Sequence, residues 1–203
     1  MSLSDSSSGT PAVSPVAPLQ WAWLPHHHGR PAEPQARAWL AGQLAVDAAA
    51  LPLARDARQR PWLGAPFERH DINWSHSGDG LLVALGDGVR VGADLERLRP
   101  RPRALDLARR YFGPDEIDWL AAAATAQARD HAFLRLWCAK EAVLKAHGHG
   151  IAFGLDRVRF AERDGRLQLA YSDSALGAAG DWSLHEFAPV PGYIAALAWR
   201  PRR

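Results

Sequence analysis

The chain has 203 residues, of which 47% are apolar, and this is enough to form a buried core in one domain or in two small ones. The 24 basic and 22 acidic residues nearly balance, so the composition gives no overall field for binding a polyanion. The single cysteine, Cys138, excludes an internal disulfide and an all-cysteine metal site.

The beginning of the chain, residues 1–18, is rich in Ser and Pro, which predicts a disordered tail. It lacks the basic-then-apolar layout of a secretory signal. No run in the chain approaches the ~18 consecutive apolar residues that a membrane span needs. We therefore expect a cytoplasmic protein that has no membrane partner.

One helix and three strands are predicted after the tail. Apolar residues at helical spacing predict an amphipathic helix over residues 36–50. Strand-like runs follow at 71–77, 81–85 and 89–96. The Gly-Asp-Gly sequence at 86–88 predicts a tight hairpin between the last two strands.

A second cycle of elements follows the Arg-rich and Pro-rich segment 97–103, which predicts a connector because Pro100 and Pro102 disfavour regular structure. The predicted helices are one near 104–111, a short one opened by Pro114, and a long one from about Asp130 to His147 that ends at Gly148. The predicted strands are 157–161, 166–171, 182–187 and 193–199.

A helix with about three strands thus occurs twice, which predicts an α+β fold of two similar halves related by pseudo-twofold symmetry. We expect a tail at 1–18, an N-terminal half at 19–98 and a C-terminal half at 99–203.

Two acidic residues share one face of the strand VGADLE. Alternation along a strand sends Asp94 and Glu96 to the same side, about 6–7 Å apart. Their repulsion is relieved if both ligate a hard divalent cation such as Mg²⁺, which also takes phosphate oxygens. The alternative is a solvent-facing strand edge on which these acids pair with Arg97 or Arg99.

The long helix carries a second charged group. Phe133, Trp137, Glu141 and Lys145 are spaced by four and form one stripe, which ends in an acid and a base. An ordinary Glu–Lys helix pair is the alternative. Lys140 and Lys145 are the only lysines in the chain, and an amine suits a point contact with phosphate.

The segment NWSHSG ends a predicted strand beside a turn, where ligand-binding residues are common. It contains Ser75, His76 and Ser77. His76 is placed to donate to a phosphate, and the alternative is a histidine with a structural role.

Taken in order, the segments NWSHSG, VGADLE, YFGPDE and FLRLWCAKEAVLKAHGHGI resemble the signature blocks of 4'-phosphopantetheinyl transferases of the long, pseudo-dimeric type that activates surfactin synthetase. The resemblance runs from about Arg60 to Phe160, and WCAKEAVLK matches the family pattern Trp-x-x-Lys-Glu-Ala/Ser-x-x-Lys. It implies holo-[acyl-carrier-protein] synthase activity. In that reaction 4'-phosphopantetheine moves from coenzyme A to a serine of an apo acyl or peptidyl carrier protein, with Mg²⁺ as cofactor and 3',5'-ADP as product.

The resemblance also implies roles for individual residues. The metal ligands are Asp94, Glu96 and Glu141, and the catalytic residues are Glu141 and Lys145, with Glu141 as the candidate base for the acceptor serine. The residues implied in coenzyme A binding are Arg37, Arg60, Ser75, His76, Lys140 and Lys145. Two departures, Ala93 in place of a larger aliphatic residue and Gln59 in place of Gly, leave the implied ligands untouched.

A monomer is expected, because two halves in one chain already form the site that shorter relatives build between subunits. Residues 97–103 with Arg109 and Arg110 offer a basic surface for an acidic carrier.

Two other interpretations stay open. One is a metal-dependent hydrolase of another diphosphate that uses the same three acids. The other is a nucleic-acid module that uses residues 97–103 and nine tryptophans. Most of these tryptophans lie in apolar patterns, so we expect no nucleic-acid partner.

Overall fold

The computed structural model describes residues 17–202. The predicted disordered tail therefore lies outside the described residues, except for Ala17 and Pro18. The fold is α+β, as predicted. The elements are β1 (Leu19–Pro25), α1 (Glu33–Gln43), β2 (Leu53–Arg55), β3 (Pro61–Leu63), β4 (His70–Ser77), β5 (Gly80–Asp87), β6 (Val89–Arg97), α2 (Ala104–Tyr111), α3 (Pro114–Ala121), α4 (Ala126–His147), β7 (Val158–Arg163), β8 (Arg166–Ser172), β9 (Ser183–Phe187) and β10 (Tyr193–Pro201).

The first sheet has the order β1-β5-β4, and all its strands are antiparallel. Successive side chains of its central strand, β5, point to opposite faces of the sheet, and both faces are covered by apolar residues. Leu81 and Val83 belong to the apolar cluster that includes Leu40 of α1. Leu82 and Ala84 belong to a different cluster, shared with the second sheet. The first sheet therefore lies between helix α1 and the second sheet.

The second sheet has the order β6-β10-β9 and is also antiparallel. Ala196 and Ala198 of its central strand pack with residues of α4. Ala195 and Leu197 face the cluster shared with the first sheet. The layers are therefore α1, first sheet, second sheet and α4, and each interface is apolar.

The two sheets also meet along β4 and β6, which run in the same direction. There the two strands are joined by hydrogen bonds from the backbone of β6 to side chains of β4. Asp71 accepts a hydrogen bond from the Val91 amide at 2.8 Å, and Asn73 accepts one from the Ala93 amide at 3.0 Å. The alternating polar positions of β4 thus fix β6 against the first sheet.

The predicted hairpin between β5 and β6 is wrong. β5 pairs with β1 and β4, whereas β6 pairs with β10, about 100 residues further along the chain. Gly88, at φ +67°, turns the chain from one sheet into the other. Since β6 belongs to the second sheet, strand pairing divides the chain near Gly88 and not at residue 98. We call residues 19–88 the N-terminal lobe and 89–201 the C-terminal lobe.

Two helices differ from their predicted bounds. Helix α1 covers Glu33–Gln43, not 36–50, and Ala45 at φ +52° lies just beyond its end. Helix α4 begins at Ala126 because the Thr125 hydroxyl caps the Ala128 amide at 3.0 Å. It ends at Gly148, with φ +96°, as predicted.

Of the nine tryptophans only Trp62 is exposed, at 44%. The others are at least half-buried and cannot serve as open stacking platforms, which argues against a nucleic-acid module. Within residues 17–202 no helix combines the length and the apolar character that crossing a membrane requires.

Gly92 of β6 lies directly against the backbone of α4. A Cβ atom at this position would be 1.9 Å from the Ala142 carbonyl oxygen and 2.5 Å from the Ala146 nitrogen. Gly92→Ala should therefore lower the free energy of unfolding by about 3 kcal/mol or more, because the strand and helix backbones must separate. Urea denaturation measures this change.

Gly42 of α1 is the matched control for Gly92, because nothing lies within 4 Å of a Cβ atom there. Gly42→Ala should raise the free energy of unfolding by about 0.5–1 kcal/mol. Equal effects of the two substitutions would contradict the close approach at Gly92.

Candidate active site

The end of β4, strand β6 and the last turns of α4 bring most of the predicted site residues together. Asp94 and Glu96 lie on one face of β6, as expected from alternation. Asp94 Oδ1 accepts hydrogen bonds from Ser75 Oγ at 2.8 Å and from Lys145 Nζ at 2.6 Å. Glu96 Oε2 accepts one from Ser77 Oγ at 3.1 Å. These hydrogen bonds connect side chains of both lobes, and Ser75, Asp94 and Lys145 form one cluster.

Lys145 lies at the centre of this cluster. Its Nζ is also 3.1 Å from Ser75 Oγ, 3.2 Å from the Ala93 carbonyl oxygen and 3.4 Å from Glu141 Oε2. Burial alone would lower the pKa of Lys145, but the Asp94 and Glu141 carboxylates raise it above its usual value. The amine is therefore a fixed positive charge at neutral pH.

The carboxyl groups around Lys145 carry more negative charge than it balances. Burial, followed by the nearby Asp94 carboxylate, raises the pKa of Glu141 from 4.5 to about 7, although Lys145 opposes the rise. Burial and Asp94 also raise the pKa of Glu96. Groups of like charge in a poorly solvated site favour either a bound proton or a bound cation.

This donor set fits a hard divalent cation in its chemistry. Asp94 is 3% exposed, and its second oxygen, Oδ2, is buried without a hydrogen-bond partner. Within the described part of the chain, no three His, Cys, Asp or Glu side chains are grouped closely enough to hold a metal ion. Lys145 occupies the space between Asp94 and Glu141, and Arg101 binds Glu96 at 2.7 Å. Closing a metal site around these carboxylates requires side-chain movement.

His76 is exposed at the end of β4, and its ring centre is 5.1 Å from that of His26. Partial burial, followed by the charges of His26 and Lys145, lowers the pKa of His76. The ring is thus biased toward its neutral form, which still has one N–H to donate.

A basic cleft of about 230 Å³ lies between the lobes, beside Lys145. It is lined by four cationic residues, Arg55, Arg58, Arg60 and Lys145, and by the imidazole of His149, and none of its described lining residues is acidic. Among the described residues, larger clefts of about 880, 1000 and 580 Å³ are lined by other residues. Asp94, Glu96 and Glu141 line none of these clefts, and the cleft beside Lys145 is linked to Asp94 and Glu141 only through Lys145. The cleft beside Lys145 is thus suited to an anion.

Two arginines predicted to bind coenzyme A have their guanidinium groups engaged by the protein. Arg37 donates to the carbonyl oxygens of Ala48, Leu51 and Leu53, and so fastens the chain that follows α1. The structure does not bring Arg37 to the cluster around Lys145. Arg60 borders the cleft, but its side chain is only 7% exposed and binds Asp71.

Lys140 lies in the core of the C-terminal lobe, away from the cluster. Its side chain is 0% exposed, and its Nζ is 2.7 Å from Glu116 Oε2 and 2.9 Å from the Leu155 carbonyl oxygen. The prediction that Lys140 contacts coenzyme A does not fit this position. The reason is helical geometry, because neighbouring residues on a helix point about 100° apart and Glu141 takes the face toward the site.

Sequence reasoning missed Asp71, Asn73 and Glu116, which are buried polar residues that hold neighbouring elements in place. Asn73 also lines the cleft beside Lys145. Polar residues at every second position of β4 were a usable signal for Asp71 and Asn73. Glu116 accepts hydrogen bonds from the Gly113 and Phe160 amides at 2.8 Å each. The first is the contact of a helix N3 residue with the N-cap, which the three-residue spacing indicates, whereas no spacing indicates the second.

The raised pKa of Glu141 predicts a pH-dependent stability. Between the unfolded value of 4.5 and the folded value of about 7, the folded state holds the proton more tightly. This stabilisation is complete below the lower value and is lost as the pH rises through the upper one. Without divalent cations, the free energy of unfolding should fall by on the order of 1–3 kcal/mol across this window. Urea denaturation at several pH values measures it, and Glu141→Gln should flatten the dependence. An unchanged slope in that variant would contradict the assignment.

Comparison with known proteins points to one family. The model of the 4'-phosphopantetheinyl transferase superfamily matches residues 90–198, more than half of the chain. The 4'-phosphopantetheinyl transferase HetI of Nostoc sp. is 34% identical over 174 residues, which cover 82% of this chain and 70% of that protein. The 4'-phosphopantetheinyl transferase Sfp of Bacillus subtilis is 33% identical over 105 residues, covering 51% of this chain and 45% of that protein.

Among solved structures, Helicobacter pylori holo-[acyl-carrier-protein] synthase in complex with coenzyme A matches 53% of this chain and 96% of its own, at 15% identity and a TM-score of 0.39. That similarity is too weak to bear on the fold or on the site. The family model and HetI are sufficient, and the chain therefore belongs to the 4'-phosphopantetheinyl transferase superfamily and is an enzyme of that class.

Proposed function

We propose that this enzyme transfers 4'-phosphopantetheine from coenzyme A to a serine of an apo acyl or peptidyl carrier protein, with Mg²⁺ as cofactor and release of 3',5'-ADP. The observation that carries the proposal is the buried, unpartnered oxygen of Asp94. Asp94 and Glu141 both contact Lys145, which lines a basic cleft. Glu96 lies on the same face of β6 as Asp94. Excess negative charge beside an anion-accepting cleft suits a divalent cation, which these carboxylates would hold and which would supply charge neutralisation for a diphosphate.

The residues that would hold Mg²⁺ are Asp94, Glu96 and Glu141. Once bound, the ion supplies charge neutralisation for the diphosphate of coenzyme A and for the leaving group. Lys145 then contributes a second positive charge from the same cluster, and the ring N–H of His76 is available to a phosphate oxygen.

Glu141 is the proposed base. Its ionised carboxylate has an oxygen that can accept a proton from the acceptor serine. The serine Oγ forms a bond to the β-phosphorus of coenzyme A, and its proton passes to Glu141. The bond between that phosphorus and the oxygen of 3',5'-ADP breaks, and the electron pair leaves with the nucleotide. No covalent intermediate on the enzyme is needed, which is consistent with a buried Cys138 whose thiol pKa burial raises.

The state of assembly and the carrier contact are also proposals. A monomer suffices, because Ser75 from the N-terminal lobe and Asp94 and Lys145 from the C-terminal lobe already meet within one chain. For the carrier we propose the segment after β6, in which Arg99 and Arg103 are exposed while Arg101 is held by Glu96. Exposed arginines beside the site suit an acidic carrier surface.

Product analysis tests the proposed function. The protein is incubated with coenzyme A and Mg²⁺, with and without an apo carrier protein, and nucleotides are separated by chromatography. Transfer predicts that 3',5'-ADP forms only when the carrier is present. Release of 3',5'-ADP without any carrier would instead support the hydrolase alternative.

A further inference from the structure

Arg58 and Arg60 are near neighbours in the chain and line the same cleft, but their side chains are in opposite situations. Arg60 is buried, at 7% exposure, and Arg58 is exposed. Within residues 17–202 the Arg58 guanidinium has no hydrogen bond or ion pair, so it is available to a ligand.

All five N–H donors of Arg60 are already used, and an arginine has no more than five. Two bind the Asp71 carboxylate, at 2.9 and 2.5 Å. The other three donate to the carbonyl oxygens of Pro61 at 3.2 Å, Val91 at 3.1 Å and Lys145 at 3.1 Å. A phosphate could bind Arg60 only by displacing one of these acceptors.

The acceptors of Arg60 lie on three elements that carry the active site. Asp71 belongs to β4, Val91 to β6 and Lys145 to the last turn of α4. Asp71 Oδ2 also accepts from the Val91 amide at 2.8 Å, so β6 is held at both its N–H and its carbonyl. The Lys145 carbonyl is one of the last in α4, which an α-helix leaves without an intrahelical partner. Arg60 therefore fixes the backbone that carries the Lys145 side chain and joins it to the N-terminal lobe.

We propose that Arg60 is a positioning residue that fastens the N-terminal lobe to β6 and α4 and does not touch coenzyme A, and that Arg58 is the arginine that contacts a phosphate of coenzyme A in this cleft. The kinetic part rests on the proposed function. The fastening part stands on geometry alone and has its own measurement.

Steady-state kinetics with coenzyme A as the varied substrate separates the two roles. Arg60→Lys keeps the charge but offers only three donors from one atom. It should lower kcat by roughly tenfold to a hundredfold through misplacement of Lys145, with KM for coenzyme A within about twofold of wild type. Arg58→Gln should raise that KM by about tenfold. Arg69→Gln is the control and should change neither constant, because Arg69 is exposed and, among residues 17–202, its side chain pairs only with Asp87.

Asp71→Asn weakens the same ion pair by changing the carboxylate that binds Arg60. Asp71 is 1% exposed and cannot contact a ligand. The substitution should reproduce the loss of kcat seen for Arg60→Lys. Both variants should melt roughly 5–15 °C below wild type. Both should also show faster amide hydrogen exchange in peptides that cover β6 and the end of α4. The exchange measurement needs no substrate, so it remains valid even if the wild type proves inactive in transfer.

The opposite pattern would overturn the proposal. Retained kcat, melting temperature and exchange protection in Arg60→Lys, together with a raised KM, would make Arg60 a ligand contact. An unchanged KM in Arg58→Gln would remove the role assigned to Arg58.

Discussion

Glu141→Gln is expected to lower the rate of phosphopantetheine transfer by about 10²- to 10⁴-fold while the fold stays intact. The amide keeps the size of the side chain but neither accepts the serine proton nor carries the charge that a divalent cation requires. Transfer is measured as carrier modified per minute at saturating coenzyme A. Asp94→Asn should have an effect of similar size, because Asp94 supplies the unpartnered oxygen.

Stability distinguishes a functional loss from unfolding in these variants. The carboxylate of Glu141 is disfavoured in the folded state, as its raised pKa indicates. Glu141→Gln should therefore melt at or above the wild-type temperature, although it loses the contact with Lys145. Glu162→Gln, on an exposed position of β7, is the matched control and should leave both rate and stability unchanged. Wild-type activity in Glu141→Gln would show that Glu141 is neither the base nor a required metal ligand.

Lys140→Met is expected to lower the free energy of unfolding by about 3–5 kcal/mol, because it leaves the carboxylate of Glu116 buried without its cation. Both side chains are almost fully buried, at 0% and 1% exposure. The carbonyl oxygens of Leu155 and Val158 also lose the donor that Lys140 provides. Urea denaturation measures the effect.

The double variant Lys140→Met with Glu116→Gln should recover most of this loss, because no uncompensated charge remains in the core. Arg109→Met breaks an ion pair with Asp106 in which both side chains are 64% exposed, and it should change stability by less than about 0.5 kcal/mol. A loss under about 1 kcal/mol for Lys140→Met would show that the pair does not hold α4 in place.

Local rules predicted much of this structure because they act between near neighbours in the chain. Gly148 ends α4 and Pro114 opens α3, as backbone conformation requires. Asp94 and Glu96 share a face because strand side chains alternate. The expectation that these acids meet Glu141 and Lys145 came from the family resemblance. The structure brings Asp94 and Glu141 into contact with Lys145, whereas Glu96 binds Ser77 and Arg101.

The features that escaped prediction depend on contacts between distant segments. Sequential strands usually pair, which made a β5–β6 hairpin the natural expectation, but β6 is taken by β10 at the other end of the chain. The motif lysines Lys140 and Lys145 lie on different sides of α4. Lys140 pairs with Glu116 in the core, and Lys145 pairs with Asp94 in the site. Arg60 is similarly engaged by residues of three elements.

The intact mass of an apo carrier protein, recorded by mass spectrometry after incubation with this enzyme, coenzyme A and Mg²⁺, tests the central claim most directly. We predict that the carrier gains one phosphopantetheinyl group on its serine. We also predict that the gain disappears when Mg²⁺ is chelated or when Glu141→Gln replaces the wild type. A carrier of unchanged mass beside the folded wild-type enzyme, or full modification by Glu141→Gln, would contradict the account.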